Sequence, residues 1–376
     1  MKIFLTGSGT GGHFYPNIAI AEQLRKIQKE EGILEMDLYF VSRESYDKTE
    51  LERLGITYKF INSGKLRTYA SVHTFFDIFR TISGIFKAFF LMFYIFPDVV
   101  FSKGGYTSFP VTLAARVLRI PVFIHESDSV PGRVNKWAGK FAQKVFVSFP
   151  EAASHFPEEK CVLSGRPMLE KISNIEDTQG AREFLHIHED DVPVLFILGG
   201  SQGAESINST IINNLLNFAK EYYIIHQTGK AHIDVAKMAG LNLLKDTGFE
   251  HRYIPFDFLN TKGMRRAAAL ANVVVSRAGS TLFEIAAWGK ASILIPYEYA
   301  HGQHQHHNAF AYARAGACHV IEEGNLSAQV LLLEIESILT DPERKKAMEK
   351  AAKDFHKPEA AKKIAKELIR IGLSHE

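Results

Sequence analysis

His13 is the residue of this 376-residue chain whose type and position best suit proton transfer. It closes the glycine-rich run 7–13, which directly follows the apolar run 2–5. A histidine can take up a proton near neutral pH. A helix that starts at such a loop offers free backbone N–H groups and a positive end to a phosphate. This run therefore predicts a general base beside an anion-binding loop; the alternative is a helix-start histidine that makes only a local hydrogen bond.

Two further glycine-rich loops lie in the second half of the chain. The run 199–204 follows the apolar run Val194–Leu198, and the run 276–281 follows residues 273–275. Glycines in these loops allow the backbone to approach a ligand closely and to adopt positive φ. Because phosphate-type loops occur in both halves, we expect two nucleotide-binding domains that face one another.

The elements that must position these loops alternate between strand-like and helical runs. This alternation predicts an α/β fold of doubly wound parallel sheets, which bind ligands at the carboxyl ends of their strands. The strand candidates are residues 3–6, 37–41, 58–61, 99–101, 122–125, 145–147, 194–198, 223–227, 251–254, 273–276, 293–296 and 319–321.

The chain length favours two domains, and the turn-like run 164–167 marks the boundary. We expect an N-terminal domain over residues 1–165 and a C-terminal domain over residues 166–352. Residues 343–370 are charged and predicted to be helical. The terminal segment, about 353–376, is expected to pack back on the N-terminal domain.

The charge of the chain is unevenly distributed. The formal net charge is only +2, but residues 60–145 carry eleven basic and four acidic side chains. Such a segment indicates an anionic surface or substrate as its partner. Cys161 and Cys318 fit no disulfide or metal spacing, which favours a reducing, cytosolic compartment.

Residues 74–96 form a long, phenylalanine-rich apolar run. Its length would allow a membrane span, but Asp77, Arg80 and Lys87 within it argue against one. Two interpretations stay open and are compatible: a core helix, or a helix that lies on an anionic bilayer surface. The residues expected to meet lipid are Phe75, Phe79, Phe86, Phe89, Phe90 and Phe93.

The first glycine loop also fits the dinucleotide pattern Gly7-x-Gly9-x-x-Gly12. The acidic residue expected after the second strand is missing, and Arg43 stands in that region. An NADP-dependent oxidoreductase, with Arg43 on the 2′-phosphate, is therefore an alternative. This alternative leaves the second and third loops unexplained.

Seven motifs occur in a fixed order along the chain. They are Gly9-Thr10-Gly11-Gly12-His13 with Pro16, Gly104-Gly105-Tyr106, His125-Glu126-Ser127-Asp128 with Pro131-Gly132 and Asn135-Lys136, Gly199 to Ala204, His226-Gln227-Thr228-Gly229, Ser276-Arg277-Ala278-Gly279 with Glu284, and His304-Gln305 with Asn308-Ala309. Together they resemble the MurG family of glycosyltransferase family 28, over roughly residues 1–350.

This resemblance implies a GT-B fold and an inverting hexosyltransferase of peptidoglycan synthesis. The enzyme would transfer GlcNAc from UDP-GlcNAc to the MurNAc 4-hydroxyl of lipid I, giving lipid II. It also implies peripheral attachment to the cytoplasmic face of the plasma membrane and an anionic membrane surface as partner. Other cell-wall synthesis proteins are further expected partners, and nucleic acid is not.

The resemblance also implies roles for individual residues. His13 is the leading base or base-orienting group, Glu126 is a rival base, and Asp128 would orient the acceptor or His13. Glu284 would bind the ribose hydroxyls and the backbone near Phe256 would pair with uracil, whereas a first-turn acid favoured by the helix dipole is the alternative for Glu284. Arg277 would either screen the diphosphate or form a structural salt bridge. The remaining expected substrate contacts are Thr10, Gly11, Gly12, Arg166, Gly200, Ser201, Gln202, Gly203, Gly279, Ser280, Thr281, His304 and Gln305.

The chain departs from the family pattern at three places. Leu169 stands where an arginine is expected, so that either Arg166 supplies the charge or that donor contact is absent. The segment at Gly279 is one residue shorter than in some relatives, which leaves the alignment of Thr281 open. His304 replaces the first of two glutamines.

The histidine-rich run 301–307 suggests a metal site, but the resemblance assigns His304 and Gln305 to the donor. We therefore expect no protein-bound metal and no required cofactor, and leave open stimulation by a divalent cation. Two alternatives to the transfer reaction remain: a transferase of the same fold with another lipid acceptor, such as a diacylglycerol, and a non-catalytic relative.

Overall fold

The computed structural model describes residues 1–7, 10–64, 72–175, 178–189, 191–200 and 203–373, without the side chains of residues 72–75 and 301. The chain divides into two compact units. Unit 1 comprises Met1–Leu169 and Lys357–Glu376, and unit 2 comprises Glu170–His356. Each division lies a few residues after the corresponding domain boundary expected from the sequence.

Unit 1 is built on a seven-stranded parallel sheet with the order β3-β2-β1-β4-β5-β6-β7. Its strands are β1 Lys2–Thr6, β2 Asp37–Ser42, β3 Ile56–Phe60, β4 Val99–Ser102, β5 Val122–Glu126, β6 Lys144–Val147 and β7 Cys161–Leu163. The sequence predicted all of these except β7. That edge strand is short and only partly buried, so it lacks the apolar run that marks a central parallel strand.

Helices cover the sheet of unit 1, and a further helix from the end of the chain, described below, joins them. Those described in the first part of the chain are α1 Gly11–Glu30, α2 Lys48–Arg53, α3 Val72–Ile95, α4 Phe109–Val117, α5 Arg133–Ala138 and α6 Pro150–Ala153.

Unit 2 repeats the design with a six-stranded parallel sheet of order β10-β9-β8-β11-β12-β13. Its strands are β8 Val194–Leu198, β9 Tyr223–Gln227, β10 Tyr253–Phe256, β11 Val273–Ser276, β12 Ser292–Leu294 and β13 His319–Val320. The predicted strand 251–254 starts later than expected because Glu250–Arg252 forms a 3₁₀ turn. The expected doubly wound parallel sheets are therefore confirmed in both units.

Ten helices are described in unit 2: two precede its first strand, and the others lie between the strands or after them. They are α7 Glu170–Ser173, α8 Thr178–Leu185, α9 Glu205–Asn213, α10 Leu215–Glu221, α11 Ile233–Leu243, α12 Thr261–Leu270, α13 Thr281–Trp288, α14 His304–Arg314, α15 Ala328–Leu339 and α16 Pro342–Phe355.

The charged tail forms two helices instead of the one expected over residues 343–370. Helix α16 ends at Phe355, and a second helix, α17, spans Ala360–Leu373. Pro358 lies in the break, where its ring and missing N–H disfavour a continuous helix. Helix α17 buries Ile364 and Leu368 and packs against α1, which makes it part of unit 1.

The order of the strands determines where a ligand can bind in each unit. In unit 1 the chain runs outward from β1 to β3 and then returns to place β4 on the other side of β1. In unit 2 it does the same around β8 and β11. Open α/β sheets bind ligands at such a switch point, outside the carboxyl ends of the strands. The loops after β1 and β4, and those after β8 and β11, flank these two points.

Helix α3 combines a buried and an exposed face. Ala88 and Met92 are fully buried in the core of unit 1, where α3 packs against α4. Gly84 permits a close approach, because a Cβ on it would lie 1.7 Å from the Asn62 carbonyl oxygen.

We therefore expect Gly84→Ala to destabilise the protein, although alanine is ordinarily the better helix residue by about 1 kcal/mol. The overlap with Asn62 forces a backbone shift, and overpacking of this kind costs about 1–3 kcal/mol. Gly180→Ala in α8 is the matched control, since a Cβ there meets nothing within 4 Å. Thermal unfolding should give a lower Tm for the first variant and an equal or higher Tm for the second. Equal melting of both variants would contradict the close approach of α3.

Candidate active site

His13 is held at the start of α1 by the residue that precedes the helix. Thr10 has an extended backbone (φ −117°, ψ 151°) and immediately precedes Gly11, the first helical residue. Its hydroxyl lies 2.8 Å from His13 Nδ1. In the tautomer in which Nδ1–H donates to this hydroxyl, the lone pair that can take a proton is on Nε2. The contact therefore orients the imidazole for use as a base.

The strand β1 leads into a loop whose first carbonyl is held from two directions. The Gly7 oxygen accepts hydrogen bonds from the hydroxyls of Ser42 at 2.9 Å and Thr107 at 2.6 Å. Ser42 ends β2, and Thr107 follows β4. These bonds connect the glycine loop to the loops of the neighbouring strands.

Arg166 lies beside the first turn of α1. Its Nη2 donates to the Gly12 carbonyl at 3.1 Å, whereas Leu169 is buried. His125 fixes the backbone just before Arg166, since its Nε2 lies 3.0 Å from the Gly165 carbonyl oxygen. Burial lowers the pKa of His125 well below its usual value, and the nearby Lys103 contributes. His125 is therefore a neutral structural group. Arg166, the residue that the sequence offers in place of the expected arginine, lies at the glycine loop.

Glu126 holds the loop after β5 in place. One carboxylate oxygen accepts from the Asp128 amide at 2.9 Å, and the other accepts from the Gly132 amide and Asn135 Nδ2, each at 3.0 Å. Burial raises the pKa of this carboxyl, Asp128 raises it further, and Lys103 opposes both effects. Glu126 is 4 % exposed and Asp128 is half-buried, so Asp128 is the more accessible of the two candidate carboxylates.

Sequence analysis assigned Lys103 no role beyond its charge. It directly follows β4 and is only 3 % exposed. Burial lowers the pKa of its ammonium to about 8, while Glu126 acts in the opposite direction. Sequence analysis could have singled out Lys103, because it directly follows an apolar strand and precedes two glycines. Lysines are rarely buried without a partner charge, so a lysine at such a place is a candidate functional residue.

In unit 2, the glycine loop after β8 contains two residues with positive φ. Gly200 has φ 77° and Gly203 has φ 83°. The Gly203 amide donates to the Gly200 carbonyl at 3.2 Å, and Gln227 Nε2 donates to the same oxygen at 3.3 Å. The predicted donor contacts Ser201 and Gln202 lie outside the described residues.

A buried network fixes the neighbouring strand ends β9 and β10. The Phe256 carbonyl accepts from the Thr228 amide at 2.9 Å and from its hydroxyl at 3.1 Å. Asn208 donates to the Thr228 carbonyl at 2.8 Å and lies 3.0 Å from His226 Nε2. Burial lowers the pKa of His226 to about 3, so this histidine is neutral. Since the Phe256 carbonyl already accepts two hydrogen bonds, the predicted uracil contact needs other backbone atoms of this segment.

Arg277 forms the structural salt bridge that the sequence left as one of two roles. Its guanidinium pairs with Glu323 and donates to Ser206 Oγ at 2.9 Å and to the Ile295 carbonyl at 3.1 Å. Partial burial tends to raise the pKa of Glu323, but hydrogen bonds from Arg277 and Ser206 lower it below its usual range. The network connects the start of α9 with the loops after β11 and β12.

Gln305 and Glu323 hold two consecutive backbone amides. Gln305 Oε1 accepts from the Tyr297 amide at 3.0 Å, and Glu323 Oε2 accepts from the Glu298 amide at 3.0 Å. The Gln305 side chain is thus oriented by its oxygen, which leaves its NH₂ group to donate. His304, the other predicted contact here, is the first residue of α14.

The third glycine loop leads into α13. Ser280 precedes the helix without a side-chain cap, Thr281 begins it, and Glu284 lies in its first turn. A Cβ on Gly279 would meet nothing within 4 Å. The Leu282 and Phe283 amides donate to the Gly279 and Ser280 carbonyls, at 3.3 and 3.2 Å. What the helix start offers to an anionic ligand is therefore the positive end of its dipole beside open space.

The histidine-rich segment shows no metal-ligand geometry in the part of the chain that is described. His306 Nε2 lies 3.2 Å from Glu322. No group of three potential ligands among histidine, cysteine and acidic residues is found within the described ranges.

The structure thus brings the predicted residues together in two groups, each within one unit. Unit 1 gathers Thr10, Gly11, Gly12, His13, Glu126, Asp128 and Arg166 at the carboxyl ends of its strands. Unit 2 gathers Gly200, Gly203, Phe256, Arg277, Gly279, Ser280, Thr281, Glu284, His304 and Gln305 in the same way. Two such edges suit two substrates, one with a diphosphate and one with a hydroxyl to be deprotonated.

Family models match both units. The glycosyltransferase family 28 N-terminal domain covers residues 3–147, and the C-terminal domain of that family covers residues 194–368. Two curated relatives are named UDP-N-acetylglucosamine–N-acetylmuramyl-(pentapeptide) pyrophosphoryl-undecaprenol N-acetylglucosamine transferase. The protein of Thermodesulfovibrio yellowstonii is 36% identical over 98% of this chain and 99% of its own length. That of Lachnoclostridium phytofermentans is 35% identical over 100% and 98%.

Solved structures share the fold at lower identity. MurG of Acinetobacter baumannii has a TM-score of 0.74 and 23% identity, and the match covers 98% of this chain and 99% of that one. UDP-GlcNAc 2-epimerase of Neisseria meningitidis, bound to UDP-GlcNAc, has a TM-score of 0.69 and 14% identity, over 98% and 100%. These likenesses and the two parallel-sheet units identify the GT-B fold. The chain belongs to glycosyltransferase family 28, and within it to the family of the UDP-N-acetylglucosamine–N-acetylmuramyl-(pentapeptide) pyrophosphoryl-undecaprenol N-acetylglucosamine transferases.

Proposed function

We propose that this protein transfers GlcNAc from UDP-GlcNAc to the MurNAc 4-hydroxyl of lipid I, producing lipid II and UDP. The observation that carries the proposal is the 36% identity to a transferase of this name over nearly all of both chains. In the reaction the acceptor oxygen forms a bond to the sugar C1, and the bond between C1 and the phosphate oxygen breaks. The electron pair of that bond leaves with UDP, and the acceptor proton passes to a base.

The residues of unit 1 support a role in activating the acceptor. A base must lie within hydrogen-bond reach of the acceptor hydroxyl, and His13 is held at the loop after β1 by Thr10 at 2.8 Å. Its Nε2 is the atom assigned to take the proton. Asp128 is assigned to orient the acceptor or the imidazolium, since Glu126 already accepts three hydrogen bonds from its own loop.

The residues of unit 2 support a role in binding the donor. The backbone of the loop at Gly200 and Gly203 and the positive end of the α13 dipole are assigned to the diphosphate, on which negative charge grows as UDP departs. Glu284 is assigned to the ribose hydroxyls, and Gln305, with its oxygen held by Tyr297, to the donor sugar. Because these dipoles can stabilise the diphosphate, the proposal includes no protein-bound metal and treats a divalent cation as a stimulant.

The test is UDP release from UDP-GlcNAc, measured with and without a lipid I analogue in detergent. We expect release that depends on the acceptor, together with a disaccharide product seen by mass spectrometry. Release that responds to diacylglycerol and not to the lipid I analogue would assign another acceptor. Tight UDP-GlcNAc binding without any release would contradict catalysis and favour a non-catalytic relative.

We also infer that the protein attaches peripherally to the cytoplasmic face of the plasma membrane through α3. Phe79, Phe86, Phe90 and Phe93 are each more than half exposed, while Phe89 is partly buried. By length and composition, Phe76–Ile95 is the one helix in the described ranges that would also pass as a membrane span. Its inner face packs in the core of unit 1, which favours a helix lying on the bilayer. The side chain of Phe75 lies outside the described residues.

Phe90→Asp and Phe93→Asp are expected to weaken binding to anionic vesicles, each by roughly tenfold or more. Each loses the burial of one phenylalanine in lipid, about 1.5–3 kcal/mol, and adds a negative charge. Leu241→Asp on α11 of unit 2 is the matched control, because Leu241 is also an exposed apolar residue outside α3. Vesicle sedimentation measures the effect. Equal binding by all three variants and the unmodified protein would count against a lipid-facing α3.

A further inference from the structure

The buried ammonium of Lys103 has no use in the reaction as described so far. Lys103 is 3 % exposed, and burial lowers the pKa of its ammonium to about 8. Burial of a lysine is costly, so proteins seldom retain one without a function. Its position follows directly from the fold, since it is the first residue after β4, the strand placed beside β1 at the switch point.

Lys103 lies between the two loops that carry the candidate catalytic groups. On one side is the glycine loop after β1: a Cβ on Gly7 would lie 3.3 Å from Lys103 Cβ and 3.3 Å from the His13 carbonyl oxygen. The Lys103 amide also donates to the Thr6 carbonyl at 2.8 Å. On the other side is the loop after β5, with Glu126.

The charges that act on Lys103 come from three neighbouring elements. Glu126 and Asp128, at the end of β5 and in the loop after it, attract the ammonium, and Arg166, after β7, repels it. The neutral His125 of β5 also feels the Lys103 charge. Two carboxylates, Glu126 and Asp128, thus face two cations, Lys103 and Arg166. The charges of this cluster balance only while Lys103 is protonated.

The hydrogen bonds of Glu126 depend on this balance of charges. Its two oxygens accept three hydrogen bonds, two of them from backbone amides of the loop after β5. An ionised carboxylate only accepts, whereas a protonated one places a donor on one oxygen and disturbs this set. Burial and Asp128 both favour protonation of Glu126, and Lys103 is the first of the groups that oppose them.

We propose that Lys103 is a positioning residue of the transfer reaction: its ammonium keeps Glu126 ionised and thereby holds the loop after β5, which carries Asp128. This inference rests on the proposed function and adds a residue to it. Lys103 itself does not take a proton from the acceptor. Without this charge Glu126 becomes protonated, and its hydrogen bonds to the loop after β5 are disturbed. The carboxylate of Asp128, which this loop carries, is then displaced.

The experiment compares pH profiles of kcat and KM for the unmodified protein, Lys103→Arg, Lys103→Met and, as control, Lys346→Met, an exposed lysine of α16. Because burial lowers the pKa of Lys103 to about 8, we expect kcat of the unmodified protein to fall on the alkaline side near that pH. Arginine stays protonated far above this range, so Lys103→Arg should retain activity and move the fall to higher pH. Lys103→Met should lose at least about tenfold in kcat, with both KM values nearly unchanged.

A second readout is independent of activity. Lysine labelled with ¹³C at Cε reports each ammonium by NMR, and the Lys103 signal is identified by its loss in Lys103→Arg. We expect a titration midpoint near pH 8 for this signal, against about 10.4 for exposed lysines. A midpoint above pH 10, or an alkaline fall in kcat that Lys103→Arg leaves in place, would overturn the inference.

Two further outcomes are distinguishable. A Lys103→Met variant with raised acceptor KM but unchanged kcat and pH profile would assign the ammonium to substrate contact and reject positioning. If the unmodified protein shows no transfer at all, the proposed function itself fails. In the first of these outcomes the unmodified protein is active, so the two failures cannot be confused.

Discussion

His13→Ala is expected to lower kcat for GlcNAc transfer by about a hundred- to ten-thousand-fold, the usual contribution of a positioned general base. Binding of UDP-GlcNAc should persist, because the donor contacts assigned to Gly200, Gly203, Glu284 and Gln305 lie in unit 2 and His13 lies in unit 1. The measurements are acceptor-dependent UDP release for kcat and isothermal titration for donor affinity. Unaltered transfer by His13→Ala would remove this residue from the mechanism.

Two comparisons separate loss of the base from loss of structure. His155→Ala removes an exposed histidine of unit 1 and should leave kcat unchanged. Thr10→Ser keeps the hydroxyl that lies 2.8 Å from His13 Nδ1, whereas Thr10→Val removes it. We expect the serine variant to resemble the unmodified protein and the valine variant to lose kcat, because the imidazole loses the partner that sets its tautomer and orientation.

Gly203→Ala should abolish high-affinity donor binding and destabilise unit 2 by about 2–5 kcal/mol. The residue has φ 83°, which costs an L-amino acid about 1–2 kcal/mol. A Cβ would also lie 2.4 Å from the Thr228 carbonyl oxygen, and overpacking adds about 1–3 kcal/mol. Thr228 belongs to the network with Asn208 and Phe256, so the strain should spread to the donor segment.

Gly200→Ala is the matched control in the same loop. Gly200 also has positive φ, 77°, but a Cβ there meets nothing within 4 Å. It should therefore cost only the conformational part, about 1–2 kcal/mol. Denaturant unfolding and UDP titration of the two variants measure the difference. Equal stability loss in both would show that the contact with Thr228 does not constrain the loop.

The fold was largely predictable because its signals are local. Buried parallel strands such as Val194–Leu198 are continuous apolar runs, and glycine-rich loops mark where they end. Edge elements lack this signal: β7 is only partly buried and was not predicted. The break between α16 and α17 was missed as well, although Pro358 indicated it.

The glycine loops and the seven ordered motifs of the candidate site were predictable from the sequence. The roles assigned to their residues stay predictions. The partners of these residues were not predictable. Arg277 pairs with Glu323, which lies 46 positions along the chain, and nothing in the intervening sequence signals the pair. Similarly, the contact of Arg166 with Gly12 spans 154 positions.

The sequence by itself determined the parallel-sheet architecture, the two units with their glycine loops and the family. The reason is that strand propensity, turn-forming residues and motifs all depend on residues that are close together in the chain. Only the tertiary structure decided which face of α3 is exposed and that Lys103 is buried between the loops of His13 and Glu126. The physical reason is the crossover that places β4 next to β1: it brings together side chains that are distant in the chain and removes water from between them. Burial and charge then act on Lys103 through groups that its sequence neighbours do not reveal.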